Sequence, residues 1–229
     1  MSEPTTAEAT LSLMETLGTS GGLIVGVIGL ASLLAMTVFF VRLIALRRGR
    51  VLPRVLTITV SDLVVREDTA AAMTLCRTDE SPLARVYLAA LRQAGKPREV
   101  VKEFVQEIGR HEAQLLARGL GLLELIAVTA PLMGLLGTVW GMIDVFRAIE
   151  VHGVGNAGAL AGGIGTALYT TFAGLLVAIP VRIGHSALLG RVDSLVLEME
   201  EHALELVDLV AEEERQPAPD PSPVRAVAD

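Results

Sequence analysis

Three stretches of this chain contain no Asp, Glu, Lys, Arg or His: Gly21 to Val41, Leu125 to Ile143, and Gly153 to Val181. A helix rising ~1.5 Å per residue needs about 20 apolar residues to cross ~30 Å of hydrocarbon, and each stretch reaches that length. Hydrophobic residues make up 52% of the sequence and the mean hydropathy is +0.55, which excludes an ordinary soluble domain. The fold class is therefore an all-α membrane protein with three transmembrane helices.

Charge orients the spans. Residues 1–41 hold no Lys or Arg, so the positively charged start of a signal peptide is missing and the first span is expected to be retained. Of 19 Lys and Arg residues, 14 fall between Arg42 and Arg118, beginning with the cluster Arg42, Arg47, Arg48, Arg50 and Arg54. The positive-inside bias makes that segment cytoplasmic, with the N-terminus on the other, external side and the C-terminus cytoplasmic. The expected order is an external segment (1–20), span one (21–44), a cytoplasmic helical segment (45–121), span two (122–146), a short external loop (147–160), span three (161–185), a cytoplasmic helix (186–213) and a disordered tail (214–229).

Within the cytoplasmic segment, "TDESP" breaks a helical pattern, with Asp79 or Ser81 able to cap and Pro82 able to open the next helix. After Pro97, Val101, Val105, Ile108, Leu115 and Leu116 follow helical spacing and lead into the second span, which is expected to extend into the cytoplasm. The third span extends likewise, with Val192, Val196, Met199, Ala203, Leu206 and Val210 forming a coiled-coil-like seam.

Several function classes drop out. Aromatics are 3% of the chain and no basic stripe is interleaved with them, so nucleic acid is not a partner. His111, His152, His185 and His202 lack ligand spacing, the single Cys76 has no thiol partner, and neither a nucleophile elbow nor a phosphate loop occurs. No metal, cofactor or enzymatic activity is expected.

The segment "APLMGLLGTVWGMIDVF" (Ala130 to Phe146) is apolar yet holds a proline, three glycines and a hydroxyl. On a helix Pro131, Gly134, Thr138 and Gly141 share one face, and Gly137 with Gly141 makes a GxxxG pair. In the third span Gly163, Thr166, Thr170, Ala173 and Val177 trace one row; Ala167, Thr171, Gly174 and Ala178 trace the next, and Pro180 follows. These faces suit close helix packing, with Pro131 and Pro180 as kink positions. Their hydroxyls also suit a polar path, and both readings can hold together. Two small faces and the cytoplasmic seam exceed what three helices can cover alone, so a homo-oligomeric ring is expected. No ionisable residue lies mid-span, although ion pathways usually display one. Either the chain is a scaffold, or another subunit supplies the titrating group.

"APLMGLLGTVWGMIDVF" followed by "AGGIGTALYTTFAGLLVAIP" resembles the paired signature of the ExbB/TolQ/MotA proton-channel family, and the three-span plan resembles its ExbB/TolQ branch. MotA itself has four spans. The resemblance implies a homopentameric ring in the bacterial inner membrane, enclosing helices of an ExbD/TolR-like single-span partner whose membrane aspartate carries the proton. It implies further that Thr138 and Thr171 are pore-facing, with Thr166 and Thr170 beside them on the pathway. A TonB-like or TolA-like protein would receive the work, for import or envelope maintenance; a motility-type stator and a proton-independent scaffold are the alternatives. One departure is Thr166, where some ExbB and TolQ members carry a glutamate.

Overall fold

The computed structural model describes residues 20–153 and 157–211, and all regular structure among them is helical. In chain order the helices are α1 (Ser20–Ala45), α2 (Arg48–Val51), α3 (Arg54–Val65), α4 (Thr69–Thr78), α5 (Pro82–Leu91), α6 (Arg98–Ala117), α7 (Leu120–His152) and α8 (Ala157–Val210). Three are long and apolar enough to cross a membrane, over Gly22–Ala45, Leu120–Val151 and Leu160–Val210. The expected external segment, apart from Ser20, and the expected disordered tail lie outside the described residues.

The chain divides into two units. The first contains α1, α7 and α8 as far as Arg191. Here α1 lies along α7 and buries Ile24, Ile28 and Ala35, while Leu30 and Leu33 of α1 and Leu132, Leu135 and Leu136 of α7 remain exposed. Such a belt is what hydrocarbon, not water, would cover.

Two boundaries differ from expectation. The helix before the second span does not run into it: α6 stops at Ala117, and Gly119 takes φ +86° before α7 begins. A residue in the left-handed region cannot continue an α-helix, and glycine adopts it without a Cβ penalty. Any Cβ there would also fall 2.9 Å from Nε and Nη2 of Arg42, so the break and the arginine fit each other. The second span is thus not extended by an unbroken helix. The connection between the helices is shorter than the 147–160 expected for a loop, since α7 remains helical to His152 and α8 begins at Ala157. "RAIEVH" contains nothing that ends a helix until Gly153, whose φ of +71° and ψ of 176° only glycine adopts readily.

The second unit holds α2 to α6 and α8 from Val192. Its core draws on Leu56 and Val60 of α3, Cys76 of α4, and Leu83, Val86, Tyr87 and Leu91 of α5. Ser81 caps α5, its hydroxyl accepting the Ala84 amide at 3.3 Å, and Pro82 opens the helix. Asp79 instead accepts the Ser81 amide at 2.8 Å, tightening the turn ahead of that cap. On α8 the buried row is Val192, Leu195, Met199, Ala203, Leu206 and Val210, with Leu195 taking the place expected for Val196. On α6 the buried row is Val101, Val105, Gly109, Glu112 and Leu116, whereas Leu115 is exposed.

Candidate functional site

The glycines of the opening segment meet α8. Cβ atoms built on Gly134 would lie 3.0 Å from the Thr170 carbonyl and the Thr171 Cα, and one on Gly137 would run into the Thr170 side chain. At Gly141 a Cβ would come 2.8 Å from the Gly163 carbonyl, and at Gly174 one would come 2.6 Å from the Ala130 carbonyl. Gly163 packs in turn against Val145. Five successive contacts therefore bring α7 and α8 to backbone distance, a closeness only small residues permit. Pro131 and Pro180 sit inside α7 and α8. Each lacks an N–H, which leaves the carbonyl four residues earlier without its usual helical donor.

The four threonines divide by partner. Thr170 is completely buried in this seam, and its hydroxyl donates to the Ala167 carbonyl at 2.8 Å and to the Gly134 carbonyl at 3.4 Å. Thr171 is half-buried and donates across the seam to Gly134 at 3.1 Å. Thr138 and Thr166, also half-buried, donate within their own helices, to Leu135 at 2.7 Å and to Gly162 at 3.0 Å. The Gly134 carbonyl is the one that a regular helix gives to the Thr138 amide. Thr171 is thus tied to the backbone one turn before Thr138, while Thr170 faces the seam.

Ionisable groups in this unit flank the spans. Glu124 faces Arg182 at 3.7 Å between α7 and α8, and Asp144 faces Arg147 at 3.5 Å on α7. Among the described residues no cluster of His, Cys, Asp or Glu could hold a metal. The arrangement offers hydroxyls and backbone carbonyls, able to accept or donate a proton in a hydrogen bond, without a group that titrates near neutrality.

A family model described as the MotA/TolQ/ExbB proton channel family matches residues 78–201, more than half of the sequence. The chain belongs to this family. It is 45% identical over 92 residues to the biopolymer transport protein exbB1 of Vibrio cholerae, covering 40% of each chain. It is 36% identical over 167 residues to an ExbB-like biopolymer transport protein of Synechocystis sp., covering 69% of this chain and 64% of that one. With the biopolymer transport protein ExbB of Neisseria gonorrhoeae the identity is 34% over 126 residues, or 49% and 57% of the two chains. These similarities place it in the ExbB branch, and it spans less than two thirds of the length of these relatives. The three apolar helices and this membership make it a multi-pass membrane protein of a family of channels.

The matched region also contains an ion pair that hydrophobic spacing did not reveal. Glu112, 2% exposed on α6, accepts two hydrogen bonds from Arg85 of α5, Nε to Oε1 at 2.6 Å and Nη2 to Oε2 at 2.5 Å. Arg85 donates through Nη1 to the Glu80 carbonyl as well, joining α5, α6 and the preceding turn. The hydrogen bonds and charge of Glu112 raise the Arg85 guanidinium above its ordinary range, against the opposing effect of burial. The only signal in the sequence was position: Glu112 falls on the row that continues Val101 and Val105 every three or four residues.

Proposed function

We propose that this chain is an ExbB-type subunit of a proton channel in the bacterial inner membrane. Five copies form a ring around the helices of an ExbD/TolR-like partner, with the N-terminus periplasmic and the C-terminus cytoplasmic. The carrying observation is that both signature spans are free of ionisable residues through their middles yet present Thr138 and Thr171 near one carbonyl, Gly134. Such spans can solvate a proton carrier but cannot be one, so the titrating carboxylate belongs to the partner. Thr138 donates to Leu135 and keeps lone pairs free to accept from a protonated carboxylic acid. Rotation of the same hydroxyl would let it donate to the carboxylate after the proton leaves. Thr166 has the same own-helix arrangement one row away, and Thr170 serves the seam instead of the pathway. Alternate protonation then moves the partner against the ring, with ~2.3 kcal/mol per proton per 100 mV available from the potential. A TonB-like or TolA-like protein passes this work onward.

Thr138→Val tests the reading in a deletion strain, with membrane abundance measured in parallel. Losing a hydrogen bond to a charged group is worth ~1.5 to 3 kcal/mol, one to two pKa units at the partner carboxyl. Proton-driven work should therefore fall sharply at normal abundance, and Thr138→Ser should retain it. Full activity of Thr138→Val at normal abundance would leave the proton-path role of this residue without support.

A further inference from the structure

We infer that the groove between α1, α7 and α8 is a binding site for one anionic phospholipid, its acyl chain lying in the groove and its phosphate on Arg42. The groove encloses about 320 Å³ and is lined by Ser32, Met36 and Phe39 of α1, Leu123 of α7, and Val177 and Pro180 of α8. That volume lies at the lower end of ligand pockets, which run from roughly 300 to 1,000 Å³. Every lining helix is one of the three able to cross a membrane, so the groove opens among groups that hydrocarbon would solvate.

Its end is marked by charge. Phe39 packs over Gly184, where a Cβ would lie 2.9 Å from the ring, and Arg42 follows one turn later on the same face of α1. The Arg42 guanidinium rests on Gly119, itself one turn before Leu123. Arg42 is half-buried, and among the described residues it has no carboxylate partner. Arg182 lies at the same end of the groove but is already bridged to Glu124 at 3.7 Å. A half-buried cation without a counter-ion is costly, and at the end of a membrane span the anion at hand is a lipid phosphate. Apolar groove and unpaired cation together call for an amphiphile with one negative head and one long apolar tail.

Native mass spectrometry of the full chain in mild detergent, titrated separately with dioleoylphosphatidylglycerol and dioleoylphosphatidylcholine, tests this. The anionic lipid should bind about fivefold tighter, the ratio that one arginine near an anionic surface confers. Arg42→Gln should remove that preference and Arg42→Lys should keep it. Ser32→Phe, which fills the groove, should weaken both lipids, and millimolar inorganic phosphate should displace neither. Equal binding of the two lipids, an unchanged preference in Arg42→Gln, undiminished binding in Ser32→Phe, or competition by phosphate would each overturn the site. A photoreactive amino acid replacing Met36 should capture lipid in native membranes; capture of a second polypeptide there would assign the groove to a protein neighbour.

Discussion

The two units solve the same packing problem with opposite materials. In the membrane-spanning unit, α7 and α8 touch through Gly134, Gly137, Gly141, Gly163 and Gly174, and along this glycine seam their polar contacts are threonine hydroxyls on backbone carbonyls. The second unit packs Leu, Val and Tyr side chains and holds a buried carboxylate, Glu112, against the partly exposed guanidinium of Arg85. Water supplies a driving force for apolar burial, whereas lipid tails are as apolar as leucine and supply none. Helices in lipid therefore gain from bringing backbones together, and large side chains at that contact would only separate them.

The largest effect should come from the ion pair. Arg85→Ala leaves the Glu112 carboxylate buried without its partner, and breaking such pairs costs ~3 to 5 kcal/mol. Arg85 is itself partly exposed, so the expected loss is at the lower end, about 3 kcal/mol. Thermal unfolding with a probe in α5 or α6 would register it. A change below about 1 kcal/mol would mean that Glu112 finds water or takes up a proton, and the contrast between the units would weaken.

Next comes the seam. Gly137→Leu puts a side chain where Thr170 already stands, and overpacking costs typically ~1 to 3 kcal/mol even where side chains can move aside. Here backbone stands behind the side chain, so α7 and α8 must part. Membrane abundance should fall, while Gly121→Leu, at a position with open space, should leave it intact. Equal tolerance at both sites would mean that close approach is not what holds the hairpin.

How much of this was legible in the sequence follows from the same contrast. Three spans and the small faces could be read because membrane helices must be long, uncharged and, where they meet, small. The family signature adds specificity in that region, within residues 78–201. Glu112 was missed because a search for apolar spacing passes over a carboxylate and settles on Leu115, which lies one position off the buried row. Leu195 and Val196 were confused for a related reason: both are apolar neighbours, and one position is about 100° of rotation. The break at Gly119 depends on a backbone angle fitted to Arg42, a contact some 77 positions away in sequence that local propensity does not encode. Which threonine faces the seam depends on the rotation of α8, so Thr170 and Thr171 could be separated only by structure.

A third prediction uses pH. Burial, with a smaller contribution from the Asp79 charge, pushes the Cys76 thiol from 9.0 up to about 11, and burial pushes Tyr87 from 10.0 up to about 12. Both groups are neutral when protonated, and folding holds the proton more tightly than the unfolded chain does. Their stabilisation is complete below pH 9 and is lost as pH rises through the folded values. For Cys76 alone the loss at pH 10 is about 1.4 kcal/mol. Cys76→Ala should flatten the stability of the second unit between pH 9 and 11 relative to the parent. The α7–α8 seam, whose contacts are glycines and threonine hydroxyls on backbone carbonyls, should be insensitive over that range.

The smallest effect is the most discriminating. The Thr171 hydroxyl has one acceptor, the Gly134 carbonyl on the neighbouring helix, whereas Thr170 has an own-helix acceptor in reserve. Thr171→Val keeps the shape and removes the single bond. Hydrogen bonds between membrane helices average ~0.6 kcal/mol, because the separated helices also find partners in lipid. Unfolding in detergent should therefore shift by about that amount, several times less than for Arg85→Ala, and assembly should persist. Thr171→Ser should recover the bond but lose a methyl contact, leaving it near the parent. A loss of 2 kcal/mol or more in Thr171→Val would put the strength of the seam in its hydroxyls and not in its glycines. A small loss accompanied by a large fall in proton-driven work would instead separate the two roles of this residue: a minor tie to Gly134 and a hydroxyl held ready for the partner's carboxylate.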